Sequence, residues 1–527
     1  MSQTSPDEGI LRRVEAEAAR LQAAGADKEV AQLCFQGLNR FGDTIGLLTP
    51  LAQTVLKHGD LTRAEGYLRR LLALQPENVD TLAIHANVLT AQERNEEAVA
   101  AQYRVLDVAP DRQDTLVNLG MLLVKMQRAE EALPFLRKAA CHAPDDCLVH
   151  TWLGYACSAL GRLEEAIGSY EVVYNDPQHG PAVSIPLAIA YRDSRQLDKA
   201  NSVLGDILTR EPGNAVARFS LAQNQLTVGD FKQGFANYES RWDRPDAGRP
   251  AVPGQLWTGQ PLAGKTILVH DEQGFGDCIQ FSRFLKPLQG MGARVLFQVR
   301  PKLRVLMQGV EGIDAFVAPG EGEADYHVAL MSLPLHLGAE ADTIADGPYL
   351  TIPPEAREKW SERLGPKSGL RVGLVWQGDP RSQAEVGRSV TFSLLRQLFD
   401  LDGCQFILLQ KFHGRDEIVA SDLPVNVLDL GEEIDNGPDA FVDTAAVISN
   451  LDIMVSSDTA AAHLAGAIGV PTYILLKYAP EWRWMLDRPD SIWYRDMTLL
   501  RQNERGNWQV VIERLHRILQ QKSAGAD

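Results

Sequence analysis

Ala52, Ala86, Gly120, Gly154, Ala188 and Ala222 follow one another at steps of 34 residues. A second series, Ala64, Ala98, Ala132, Ala166, Ala200 and Gly234, runs twelve residues behind the first at the same step. Pro76, Pro110, Pro144 and Pro212 keep the register, and Pro177 falls one residue early. A 34-residue period with two small positions and a proline predicts stacked helical hairpins. The small residues let the two helices of a hairpin approach closely, and the proline stops the second helix. One such hairpin cannot bury its own apolar face, so the repeats must stack. The stack is a docking surface, which places any chemistry elsewhere in the chain.

With 527 residues the chain is too long for one core and divides into roughly three to five folding units. Its net charge of -17 argues against nucleic acid or an anionic membrane as partner. Six cysteines, none in a C-x-x-C pair, read as buried free thiols, with no metal expected. The opening MSQTSPDEGILRRVE has no apolar signal core, and no apolar run of membrane-spanning length occurs. A cytoplasmic protein without membrane insertion is expected.

Five segments follow. Residues 1–44 read as a helical cap, 45–248 as six repeats and 249–264 as a Pro/Gly-rich linker. In the fourth repeat Trp152, Leu153, Gly154, Tyr155, Ala166, Ile167 and Tyr170 stand where tetratricopeptide repeats place their signature residues, and the whole array resembles that family. It implies a concave groove that grips a partner protein. Beyond the linker the period changes. Strands fit at 266–270, 293–299, 315–317 and 326–330, giving a first lobe over 265–352. A second lobe over 369–527 has strands at 371–376, 405–410, 425–428, 451–455 and 472–476 and a last helix near 507–520. Apolar strands alternating with helices predict parallel sheets covered on both faces, with a cleft between the lobes.

Gly259–Thr266 matches the G-x-x-x-x-G-K-T phosphate loop, but a linker precedes it and a strand follows, so the phosphate reading fails. Three other constellations carry chemistry. In DEQGFGDCIQF, Gly274 and Gly276 make a tight turn after a strand, and Asp277 stands at the mouth of a helix over 279–289, as a base or as a helix cap. In VSSDTAAAHLAGAIGVPT, Ser457, Asp458, Thr459 and Ala460 lead from a strand into a helix whose free amides suit a diphosphate, and His463 lies one turn on. Gln377, Arg388 and Lys411 follow neighbouring strands of the second lobe, where cations can neutralise phosphate. Trp482, Arg483 and Trp484 either line the cleft or pack the lobes together.

Taken with GLVWQGDP, FILLQK and EWRWMLDRPDSIWY, these segments resemble, over about 255–505, the glycosyltransferase domain fused to tetratricopeptide repeats in bacterial proteins. That domain is related to the heptosyltransferases and has the two-lobed GT-B fold. The resemblance implies a metal-independent, inverting enzyme that needs no cofactor and uses a nucleotide-sugar as substrate, with the first lobe on the acceptor side and the second on the donor side. By position it makes Asp277 the base, sets Asp458, Thr459 and His463 at the donor diphosphate, and gives Lys411, assisted by Arg388, as the basic residue near it. Ala460 departs from the glycine usual in heptosyltransferases, so the donor's identity does not carry over. The expectation is a protein O-glycosyltransferase acting on Ser or Thr of an acceptor held by the repeats, with flagellin as candidate. Its rivals are a non-catalytic scaffold with a degenerate sugar-nucleotide domain and a transferase for glycans or lipopolysaccharide.

Overall fold

A computed structural model describes residues 6–344, 347–381, 385–419 and 423–525. Helices α1 (Pro6–Ala23) and α2 (Asp27–Phe41) precede six hairpins. These are α3 (Ile45–Lys57) with α4 (Leu61–Leu74), α5 (Val79–Ala91) with α6 (Asn95–Val108), and α7 (Gln113–Lys125) with α8 (Ala129–His142). Then come α9 (Cys147–Ala159) with α10 (Leu163–Tyr174), α11 (Gly180–Asp193) with α12 (Leu197–Arg210), and α13 (Ala215–Thr227) with α14 (Phe231–Tyr238). The second helices begin at 61, 95, 129, 163, 197 and 231 with no slip in the 34-residue step. α11 starts one residue early, in step with Pro177.

The prolines act as the sequence implies. Gln75, Ala109, Ala143 and Glu211 each precede a repeat proline, and each leaves the helical region with ψ of 77° to 79°. The proline ring clashes with a helical residue before it and forces this exit. The small positions are buried. A Cβ on Gly120 would lie 2.5 Å from Leu136, and one on Gly154 would lie 2.3 Å from the Tyr170 ring. Gly154→Leu therefore overpacks the fourth hairpin and lowers the unfolding free energy by about 1–3 kcal/mol. Urea denaturation checks this, and an unchanged midpoint contradicts it.

The chain forms two compact units, Met1–Ala190 and Tyr191–Asp527. The linker expected at 249–264 is thus not where compactness divides the chain. The reason lies in α13 and α14, whose Leu226, Phe231, Phe235 and Tyr238 share one buried cluster with Phe281, Trp482 and Trp493 of the sheet region. Among the described residues no helix is long and apolar enough to cross a membrane.

Two parallel sheets fill the second unit. The first joins β1 (Gln255–Leu256), β2 (Thr266–His270), β3 (Arg294–Gln298), β4 (Ala315–Phe316) and β5 (Tyr326–Ala329) in the order β1-β5-β2-β3-β4. The second joins β6 (Leu370–Val375), β7 (Cys404–Leu408), β8 (Val427–Asp429), β9 (Ile453–Ser457), β10 (Thr472–Leu476) and β11 (Met497–Arg501) in the order β11-β10-β9-β6-β7-β8. Every strand pair in both sheets is parallel. The fold is thus α plus α/β. Lys265 leads directly into β2 and its Nζ lies 3.1 Å from Asp325 Oδ1, so the G-K-T match serves the sheet. The helix expected over 279–289 is instead a helix at Phe275–Phe281, a 3-10 turn at Ser282–Phe284 and a helix at Leu285–Gly290.

Candidate functional site

β2 ends at His270, and the chain turns sharply into the Phe275–Phe281 helix. Gln273, not a glycine, takes the left-handed conformation there (φ 59°). Gly274 is the N-cap, and Asp277 occupies the third helical position rather than the mouth. Its Oδ2 accepts the Gly274 N–H at 2.7 Å. Its Oδ1 is paired with the Arg483 guanidinium. The capping role weighed against catalysis is therefore real, and both oxygens are engaged.

Arg483 is the hub of this half of the site. It is buried, donates through Nε to Gln280 Oε1 at 2.7 Å, and pairs with Glu481 as well as Asp277. Its guanidinium lies over the Trp482 ring, 4.3 Å from the centroid. Three acceptors and an aromatic face satisfy the fork of a charge taken out of water.

The other half belongs to the second sheet. β9 ends at Ser457, and Asp458 and Thr459 lead into the Ala460–Ile468 helix, for which Thr459 is the N-cap residue. The Thr459 side chain caps nothing and instead bonds Ser456 Oγ at 3.0 Å. Thr459 thereby leaves the first amides of that helix, at its positive end, without its own side chain as acceptor. His463 is buried, bonds the Tyr494 hydroxyl through Nδ1 at 3.0 Å, and stacks on Trp484 with ring centroids 5.2 Å apart.

The two helices meet at Gly276. A Cβ there would lie 2.9 Å from His463 Cδ2 and 3.5 Å from Ala460 Cα. Glycine is what allows this approach. Asp277 and His463, from segments 186 residues apart, thus stand on helices that pack directly against each other. Ser457 Oγ, Gln280 Nε2, Trp482 Nε1 and Trp484 Nε1, on these segments, are buried with no hydrogen-bond partner among the described residues. Each unmet donor costs about 1–3 kcal/mol, and a polar ligand is one means of meeting them. A separate cavity of about 380 Å³, lined by Val305, Gly309, Ile352, Pro353 and Val442 among others, touches neither Asp277 nor His463.

Burial lowers the His463 pKa to about 4, against the pull of Asp458. Its imidazole is therefore neutral at pH 7 and a hydrogen-bonding group, not a standing cation. Stability follows. Unfolded, the ring binds a proton below about pH 6.5. Folded, it does so only near pH 4, so between these values the unfolded state holds more protons. The contribution is complete above pH 6.5 and is lost as pH falls toward 4, a change of roughly 3 kcal/mol. Denaturation curves of the wild type and His463→Gln should differ by that slope, and parallel curves contradict it.

The cations divide. Arg388 Nη1 lies 3.5 Å from Asp458 Oδ2, and Gln377 follows β6 beside β9, so both stand at the strand ends that also carry Ser457, Asp458, Thr459 and Ala460. Lys411 is committed elsewhere, donating to Ile434 O at 2.6 Å and Asn436 Oδ1 at 2.9 Å. It braces that loop. The cation that sequence reading passed over is Lys477, the residue after β10. Its Nζ donates to Val386 O at 3.0 Å. Burial pulls its pKa down, while Asp193 and Asp458 oppose this. The signal was available, since Lys477 closes TYILL as Lys411 closes FILLQ.

The last hairpin supports this site directly. The Tyr238 hydroxyl exchanges hydrogen bonds with the Gln273 amide at 3.1 and 3.3 Å, and its ring sits 6.0 Å from Trp482. Arg241 grips Glu272 with two bonds of 2.8 Å. Both contacts hold the turn that carries Asp277.

Residues 49–114 and 117–180 match the family model described as tetratricopeptide repeat. Protein FlbA of Caulobacter vibrioides is 26% identical over 343 residues, covering 58% of this chain and 56% of FlbA. The chain thus spans little more than half the length of that curated relative. Among solved structures, YrrB, described as a TPR protein with an unusual peptide-binding site, is 23% identical, with 36% of this chain and 96% of that chain covered and a TM-score of 0.33. A tetratricopeptide repeat protein from Parabacteroides merdae is 14% identical, with 44% and 91% covered and a TM-score of 0.33. Together with the hairpins at the 34-residue step, the family match shows that this chain carries tetratricopeptide repeats.

Proposed function

We propose that this chain is a protein O-glycosyltransferase of GT-B architecture, whose repeats bind a protein acceptor and whose two sheets hold a nucleotide-sugar between them. The observation that supports this reading is the meeting of the Phe275–Phe281 and Ala460–Ile468 helices at Gly276, which brings the helices of Asp277 and His463 together at the carboxyl ends of two parallel sheets. Ligands of open α/β sheets bind at those ends. The donor diphosphate lies against the Ala460–Ile468 helix start, with Arg388 and Lys477 as counter-charges and the neutral His463 as a hydrogen-bond donor. Stabilising the leaving diphosphate is the larger catalytic term. The acceptor hydroxyl oxygen attacks the anomeric carbon, the carbon–oxygen bond to the diphosphate breaks, and the hydroxyl proton passes to Asp277. For that step Arg483 has to release Asp277, and the donor's negative charge is what competes for the guanidinium. The repeats raise the acceptor's effective concentration. The earlier resemblance makes flagellin the candidate acceptor.

The test is turnover. The purified full-length chain, given nucleotide-sugars and a candidate acceptor, releases nucleoside diphosphate. Lys477→Met raises the donor KM by about tenfold or more through loss of a charged contact. No release with any donor leaves the scaffold reading in its place, and an unchanged KM removes Lys477 from the donor site.

A further inference from the structure

The 34-residue register slips once, at the turn between α10 and α11, where Pro177 comes early and α11 opens at Gly180. That turn carries Asp176 and His179 to Cys147, the first residue of α9. One ligating atom from each of the three lies within 4.8 Å of the others. We propose that Cys147, Asp176 and His179 form a three-ligand site for a divalent transition metal, zinc above all, that clips the start of α9 to the α10–α11 turn. This site is independent of the segments around Asp277 and of any transferase activity.

The donor set decides the class of ion. A thiolate with an imidazole and one carboxylate suits Zn(II), whereas Mg(II) and Ca(II) take oxygen ligands. The turn is already built around the carboxylate. Asp176 Oδ1 accepts the Gln178 and His179 backbone N–H groups and faces His179 Nδ1, each at 2.9 Å. A cation can take the place of the proton between Asp176 Oδ1 and His179 Nδ1, atoms that already stand 2.9 Å apart, near the spacing of two ligands on one ion. Asp176 Oδ2 makes none of these three bonds. Burial, followed by Asp176, Asp146 and Asp145, raises the Cys147 thiol above its ordinary range. A bound cation reverses that field and lets the sulfur ligate as thiolate, its proton passing to solvent. With bonds of about 2.0–2.3 Å, tetrahedral ligand atoms stand roughly 3.5 Å apart, so side-chain movements of about 1 Å close a set whose atoms already lie within 4.8 Å of one another. Water takes the fourth position.

The experiment uses the full-length chain titrated with Co(II), Zn(II) and Mg(II). One equivalent of Co(II) should bring a thiolate-to-cobalt charge-transfer band in the near ultraviolet, displaced by Zn(II) and untouched by Mg(II). Cys147→Ser should abolish the band, and His179→Gln should weaken cobalt binding by about tenfold or more. Zn(II) should also raise the melting temperature of the wild type and not that of Cys147→Ser. Circular dichroism of both variants checks that the hairpins are intact. Absence of the band in the wild type overturns the site. An equal band in Cys147→Ser also overturns it, and assigns the metal to another thiol such as the exposed Cys141.

Discussion

Asp277→Asn should reduce sugar transfer by about 10²–10⁴-fold, the range lost with a general base, while the protein stays folded and still binds donor. Asparagine is the informative replacement because of what else Asp277 does. Its Oδ2 caps the Phe275–Phe281 helix through Gly274, and its Oδ1 meets Arg483. The amide oxygen of asparagine can keep one of these bonds and cannot take a proton from a hydroxyl. Alanine removes the cap and the ion pair together, so its loss of activity would mix chemistry with collapse of the turn. Kinetics with donor saturating separates the outcomes. A large fall in kcat with little change in KM fits a base, and an unchanged kcat makes Asp277 a structural residue alone.

Arg483→Ala is the second large effect. The guanidinium is buried and joins Asp277, Glu481 and Gln280. Removing one partner of a buried ion pair costs about 3–5 kcal/mol, since the remaining charges keep their desolvation and lose their compensation. Here two carboxylates are stranded. Burial already raises the Glu481 pKa, and without Arg483 it takes up a proton more readily. Arg483→Lys retains the charge but not the planar fork, and falls between the wild type and alanine. Chemical denaturation at pH 7 measures the cost. A loss below about 1 kcal/mol would mean that the hub is exchangeable with solvent and does not anchor Asp277.

The array of hairpins was legible because its cause is local. Each proline ends a helix, each small residue admits a neighbouring helix, and the same step repeats too often for chance. The core strands of both sheets were legible for the same reason: TILVH and TYILL are apolar runs bounded by turn residues, and β2 and β10 coincide with them. β1 was not legible. Two residues inside a Pro/Gly-rich stretch become a strand only because Tyr326 and His327 present an edge to pair with. β11 likewise pairs with β10 along five residues that follow an irregular stretch, MLDRPDSIWYRD, which hides the strand onset.

The site was half visible. Glycines and a carboxylate after one strand, and small residues with a histidine after another, marked the two segments that the structure packs together. Their mutual approach was carried by the resemblance, and in the structure it rests on Gly276. Arg483 was seen only as part of an aromatic cluster, because its role depends on Asp277 and Gln280, 206 and 203 residues away. Lys411 and Lys477 were equivalent by rule, each a lysine closing an apolar strand. Strand order separates them. β10 lies beside β9, whereas β7 is reached only through β6. No single-sequence pattern contains that order.

Intact-mass spectrometry of proteins from cells with and without this chain tests the central claim most directly. The account predicts at least one acceptor that carries a sugar-sized mass increment only when the chain is present, with the increment restored by the wild type and not by Asp277→Asn. If no protein changes mass with the chain, and the purified chain releases no nucleoside diphosphate from any sugar donor, the repeats stand as an adaptor and the two sheets hold no transferase site between them.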